Sequence, residues 1–155
     1  MRITMYGVEF NNDKQNVLVK ENAINYACEF QAFDQPEKIV RMMNDIFRMN
    51  KKSEEYAYIL ALNTKTKLLG VFELSHGTVD RSLVSTREIF IRLLLSGATG
   101  FVLVHNHPSG DCEPSHEDIC VTRKMQDSGK LIGINLLDHI IIGDEFYSFC
   151  KEHSL

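Results

Sequence analysis

The segment His105–Asp118, HNHPSGDCEPSHED, constrains this chain more than any other. Two histidines alternate, seven residues pass before Ser115, and Asp118 follows three positions later. The preceding FVLV is apolar and reads as a strand, where residues two apart point to one face, so His105 and His107 share a face. Pro114-Ser115 reads as a helix entry, with Ser115 as N-cap and Asp118 near the third helical position. Two imidazoles at a strand end therefore meet a carboxylate in the first turn of the next helix. Two imidazoles and a carboxylate form a donor set that a catalytic zinc takes from a protein, with one position left for water.

The rest of the chain supplies a setting for this unit. Residues 2–10 alternate weakly as a strand does, Asn11-Asn12-Asp13 reads as a turn, and NVLVK as a second strand. Residues 36–49 open on a proline, and Ile39, Met42, Met43, Ile46 and Phe47 follow the spacing of a buried helical stripe. YAYILALN and LLGVFEL flank a polar NTKTK turn and read as a hairpin. Residues 86–96 are predicted helical, with Ser85 offering the N-cap and Gly97 the end. The run 100–105 is predicted to be a central strand buried on both faces. A second helix is expected over 115–128, closed by Gly129, with KLIGINLLDHIII as a long strand or strand pair. Strands and helices are mixed, so the expected fold class is mixed α/β (α+β), a mixed sheet flanked by helices.

Composition excludes some partners. With 155 residues, one domain with a real core is expected. A net charge of −4 argues against a broad nucleic-acid surface, which needs a basic excess. No apolar run reaches the length of a membrane span, and the polar start, MRITMYGVEFNNDKQN, is unlike a signal peptide. A cytoplasmic location and no membrane partner are expected. Cys28, Cys112, Cys120 and Cys150 form no CxxC pair and are expected to remain thiols; Cys112, between the histidines and Asp118, reads better as a loop residue than as a ligand.

The pattern H-x-H-x7-S-x-x-D, in the wording VLVHNHPSGD, PSHED and INLLDHIIIGDEFYS, with LSHGTVDRSLVSTREIF upstream, resembles the RadC family of bacterial JAB-domain (JAMM or MPN) proteins. The resemblance runs from about Glu55 to Cys150. It implies a cytidine-deaminase-like mixed sheet flanked by helices, with a JAB domain over 51–155 and a short strand–helix extension, 1–50, packed on its core. It also implies Zn2+ held by His105, His107 and Asp118, and hydrolysis of peptide, isopeptide or related amide bonds by metal-activated water. The implied partner is a peptide or isopeptide-containing protein substrate. Longer RadC proteins carry a helix-hairpin-helix-like region that the first 50 residues do not show, so the chain looks like the short forms of mobile elements. A link to DNA repair rests on the family name alone.

The family's general base is a glutamate before the first core strand. Glu55 opens EYAYILALN and Glu73 ends the next strand; the family's placement favours Glu55, although Asn63 stands where relatives often carry aspartate. The serine matching Ser115 helps stabilise the developing oxyanion in the family, a role compatible with capping. Taken singly, each residue has a plainer reading. Asp118 complements a helix dipole, the histidines are hydrogen-bonded loop residues, and Glu55 is a solvated charge. Their joint spacing favours the metal site. The Asp138-His139 pair matches the family and is read as structural or as lying behind the ligands, and Asp138 or Asp111 is the expected support for a ligand imidazole. His76 is read as a possible cleft residue, and His116 as facing away from Asp118. Gly77, Gly110 and Gly133 are read as turn or close-packing residues. The alternative function is a non-enzymatic JAB-fold zinc-binding module, which Glu55 argues against. A zinc deaminase would need H-x-E with P-C-x-x-C, which is absent, and nucleases cluster carboxylates around hard cations.

Overall fold

A hairpin begins the chain. In the computed structural model, which describes residues 1–77 and 85–155, β1 (Arg2–Phe10) and β2 (Asn16–Asn25) pair antiparallel. Asn11 nucleates the turn between them, its Oδ1 accepting the main-chain N–H groups of Asp13 and Gln15 at 3.0 and 2.9 Å. β2 continues well beyond NVLVK. Next comes α1 (Pro36–Phe47), whose proline sits in the first turn, where its missing N–H costs nothing. The helix stops two residues before the expected end. Arg48 adopts a left-handed conformation (φ 54°), and a 3-10 turn, Met49–Lys51, follows.

The core strands are β3 (Tyr56–Leu62), β4 (Leu68–His76), β5 (Gly100–Asn106), β6 (Asn135–Ile142) and β7 (Phe146–Ser148), with α2 (Thr86–Leu95) and α3 (His116–Ile132) between them. The seven strands form one mixed sheet ordered β2-β1-β4-β3-β5-β6-β7. β5 lies inside it, antiparallel to β3 and parallel to β6, and every one of its residues is buried. The apolar run FVLV is thus covered on both faces, as expected for an interior strand.

Alternation sorts the β5 residues between two cores. Val102 and Val104 join Tyr58, Leu60 and Leu62 beneath the Ile39, Met42, Met43 and Phe47 stripe of α1. Phe101 and Leu103 join Ile59 and Ala61 beneath Ile89, Phe90 and Leu93 of α2 and Met125 of α3. The result is a helix–sheet–helix sandwich, the mixed α/β architecture expected. His105 belongs to the α2/α3 face, because it lies two residues beyond Leu103.

Three local expectations need correction. α3 does not close at Gly129 but continues to Ile132, so Lys130, Leu131 and Ile132 are helical and β6 starts only at Asn135. Gly133, at φ 83°, is the residue that ends the helix. Gly129 serves close approach instead, since a Cβ there would lie 2.4 Å from the Ile134 carbonyl oxygen. Ser85 occupies the N-cap position of α2, yet its side chain makes no capping bond; its main-chain carbonyl accepts from Glu88 and Ile89. The TVDRSLV part of the upstream stretch, residues 78–84, lies outside the described residues. Among those described, no helix is long and apolar enough to cross a membrane.

Candidate metal centre

β5 delivers His105 to the end of the sheet, and the chain leaves the strand at His107. The loop that follows is held against the β6–β7 turn. Gly110 turns it at φ 87°, and its carbonyl accepts the Asp144 N–H at 2.8 Å. The contact depends on Gly143, where a Cβ would lie 2.2 Å from the Gly110 oxygen. Gly143→Ala should therefore force these two segments apart and cost about 1–3 kcal/mol, as overpacking typically does. Urea denaturation measures this, and an unchanged midpoint would contradict the packing.

The loop ends at Ser115, which caps α3. Its Oγ accepts the Asp118 N–H at 3.2 Å, and its own N–H donates to Asp118 Oδ2 at 2.7 Å, a reciprocal capping box. The Ser115 hydroxyl also donates to Asp118 Oδ2, at 2.6 Å. Two bonds thus hold Oδ2, and Oδ1 turns to His105.

His105, His107 and Asp118 converge. The two Nε2 atoms lie 3.1 Å apart, His105 Nε2 is 3.2 Å from Asp118 Oδ1, and His107 Nε2 is 3.4 Å from Asp118 Oδ2. A tetrahedral zinc with bonds of about 2.0–2.1 Å separates its ligand atoms by roughly 3.3–3.4 Å, so the cluster already has the spacing of one face of a coordination tetrahedron. These three are the group able to hold a metal ion among the described residues. Cys112 is not part of it, and burial pushes its thiol up, away from the thiolate a metal needs.

Electrostatics matches the geometry. Burial alone would raise the Asp118 carboxyl, but the contacts with His105 and His107, the His105 charge and the Ser115 hydroxyl outweigh it and hold it far below the carboxylate range. His107 is shifted up, chiefly by its bond to Asp118 and partly by the charge of Glu55. A carboxylate held this low keeps its charge and suits a cation. Metal affinity should therefore fall as the pH drops through the range where His107, shifted up chiefly by its bond to Asp118, takes up a proton that competes with the metal. Chelator-competition titrations across that range test this, and a flat profile would contradict it.

Behind the ligands lie further polar groups, exposed beside His107 and buried beside His105. His107 Nδ1 meets the Asp111 carbonyl at 2.8 Å. His105 Nδ1 meets His139 Nε2 at 2.9 Å, and His139 Nδ1 meets Thr122 Oγ1 at 2.6 Å. His139 stacks on Phe149, with ring centroids 5.0 Å apart, and burial pushes it well below the imidazole range, which keeps it neutral. The expected support from Asp111 is therefore real but comes from its main chain, whereas Asp138 gives none. A bulge between Phe101 and Val102 explains the exchange. It pairs Val102 with Asp138 and Leu103 with His139, so His139 lands on the ligand face. Asp138 instead accepts from the Ser148 hydroxyl at 2.6 Å and the Cys150 N–H at 3.0 Å, pinning the C-terminal turn.

The two candidate bases separate. Ala57 pairs with His105, so Glu55, two residues earlier, reaches the same face opposite His107. Asn106, buried between the two histidine positions, fixes this approach. Its Oδ1 accepts the Tyr56 N–H at 2.8 Å and its Nδ2 donates to the Glu54 carbonyl at 3.0 Å. Glu73 pairs with Tyr58 on the α1 face, accepts the Tyr58 hydroxyl at 2.8 Å and meets His76 Nδ1 at 2.8 Å. His76 stacks on Tyr56 there, and His116 meets Cys120 along the exposed side of α3. Asn106 and Thr122 went unread in the sequence. The usable signal was a buried asparagine inside an apolar strand, which must find partners.

A mixed sheet that brings two imidazoles and a carboxylate together at a strand end defines an α/β domain with a candidate metal site. Residues 33–155 match the RadC-like JAB domain, and the chain belongs to that family. It is 42% identical over 120 residues to a UPF0758 protein of Alkaliphilus metalliredigens, covering 77% of this chain and 51% of that one. A UPF0758 protein of Clostridium acetobutylicum is 43% identical over 103 residues, covering 66% and 45%. One of Methanococcoides burtonii is 39% identical over 124 residues, covering 77% and 54%. The chain spans about half the length of these curated relatives. The matched region includes α1 and the whole candidate site.

Proposed function

We propose that this domain is a zinc-dependent hydrolase of peptide, isopeptide or related amide bonds in a protein substrate. The observation that carries the reading is the triangle of His105 Nε2, His107 Nε2 and the Asp118 carboxylate, with edges of 3.1–3.4 Å. Two neutral imidazoles and one carboxylate suit zinc better than the hard cations, which prefer oxygen alone. When bound, zinc supplies a Lewis acid and lowers the pKa of a coordinated water to about 7.

The chain's own residues do the remaining work. Glu55 takes a proton from the attacking water and delivers it to the leaving nitrogen, so that amide and water become carboxylic acid and amine. Ser115 first orients Asp118. Its main-chain N–H holds Asp118, while the Ser115 hydroxyl proton would turn from Asp118 to the developing oxyanion. His107 leans on the Asp111 carbonyl, which leaves its Nε2 lone pair toward the cluster.

Zinc-reconstituted and chelator-stripped protein, screened against peptide, isopeptide-linked and small amide substrates, tests this. Cleavage should appear only with metal. Tight zinc binding with no cleavage in any class would instead favour a non-enzymatic binding module.

A further inference from the structure

We infer that Thr122 and His139 form a proton-ordered chain that fixes His105 as its Nδ1–H tautomer, leaving the His105 Nε2 lone pair for the metal. This deepens the metal-site reading and rests on it.

The order follows from one group that can only accept. The Asp118 main-chain carbonyl lies 2.6 Å from Thr122 Oγ1, both inside the first turns of α3. A carbonyl has no proton to give, so the hydroxyl donates to it. A hydroxyl carries one proton. Toward His139 Nδ1, also 2.6 Å away, the Thr122 oxygen can therefore only accept, and that nitrogen carries the hydrogen. The His139 ring is 1% exposed and its hydrogen-bond partners, Thr122 and His105, include no carboxylate to balance a second proton, so with Nδ1 carrying the hydrogen its Nε2 is bare. That nitrogen, 2.9 Å from His105 Nδ1, accepts a hydrogen from it. His105 is left with its lone pair on Nε2, the atom facing His107 and Asp118. The chain thus starts at the main chain of one ligand, Asp118, and ends on the side chain of another.

The surroundings favour this arrangement. Thr122 and His139 are 2% and 1% exposed, so water does not compete for either contact. Phe149 lies flat against the His139 ring, 6° from parallel, and fixes its plane. His107 obtains the same ordering from the Asp111 carbonyl, with no relay. Three ligand atoms consequently converge on one place. The Nδ1–H form is the minority tautomer of imidazole in water, so two such rings in contact are a recognisable signature.

The test uses 15N-labelled full-length protein without metal, near pH 8, above the ordinary imidazole range. Long-range proton–nitrogen spectra should show His139 protonated on Nδ1 only and His105 protonated on Nδ1. Chelator competition then gives zinc affinity. Thr122→Val removes the acceptor while keeping the volume, and His139→Phe removes the relay while keeping the stack on Phe149. Each should weaken zinc about 10–100-fold, the usual effect of losing an outer partner of a ligand. Thr122→Ser, which keeps the hydroxyl, should bind within a few-fold of wild type, and His139→Gln should recover part of the loss through its carbonyl. A wild-type His139 protonated on Nε2 would overturn the inference, as would wild-type affinity in both Thr122→Val and His139→Phe. Wild type that binds no zinc would instead overturn the metal-site reading, and the spectra would still decide the chain. If His139→Phe fails to fold, the Thr122 pair and the wild-type spectra suffice.

Discussion

Glu55→Gln should retain zinc and fold yet lose about 10²–10⁴-fold in amide hydrolysis, the usual worth of a general acid–base group. The amide fills nearly the same space but cannot take a proton from water. Glu55 precedes β3 at the point where Asn106 ties Tyr56 and Glu54 to the end of β5. Its charge is already felt by His107. Glu73→Gln should change turnover by no more than a few-fold, because that carboxylate is engaged with Tyr58 and His76 on the opposite face of the sheet. Its effect should fall on stability, through the buried Tyr58 hydroxyl. Turnover and zinc content measured for both variants check the assignment. Loss in Glu73→Gln with activity kept in Glu55→Gln would reverse it.

His107→Ala should have the larger effect of the two, removing metal and activity together. It leaves two of the three donors, so the loss in zinc affinity should exceed the roughly 10–100-fold expected of an outer partner. Asp118 would also lose one of the two imidazoles that offset its burial. Purified under identical conditions, wild type should carry about one zinc per chain and His107→Ala close to none. Cys112→Ser should match wild type, since Cys112 lies outside the ligand cluster. Equal zinc in wild type and His107→Ala would show that the metal sits elsewhere.

The parts of the site that sequence made legible are those encoded locally. His105 and His107 share a face because strand alternation is strict, and Ser115 and Asp118 meet because a capping box spans three residues. Features that depend on register were not legible. His105 and His139 are 34 residues apart, and they touch because β5 and β6 are parallel neighbours. Without the bulge at Phe101/Val102, Asp138 rather than His139 would face the ligands, and no residue letter announces a bulge. Gly129 shows a second kind of ambiguity. A glycine late in a helical pattern fits either a helix end or a close approach, and only the Ile134 carbonyl beside it decides for the latter. The fold class was legible because FVLV, YAYILAL and the α1 stripe carry distinct periods. The two-sided burial of β5 then follows from its neighbours.

X-ray absorption at the zinc edge of the reconstituted protein tests the central claim most directly. The account predicts a first shell of nitrogen and oxygen alone, at about 2.0–2.2 Å, with the outer-ring scattering of two imidazoles. A zinc–sulfur distance of about 2.3 Å, or a shell lacking imidazole, would contradict a centre built from His105, His107 and Asp118.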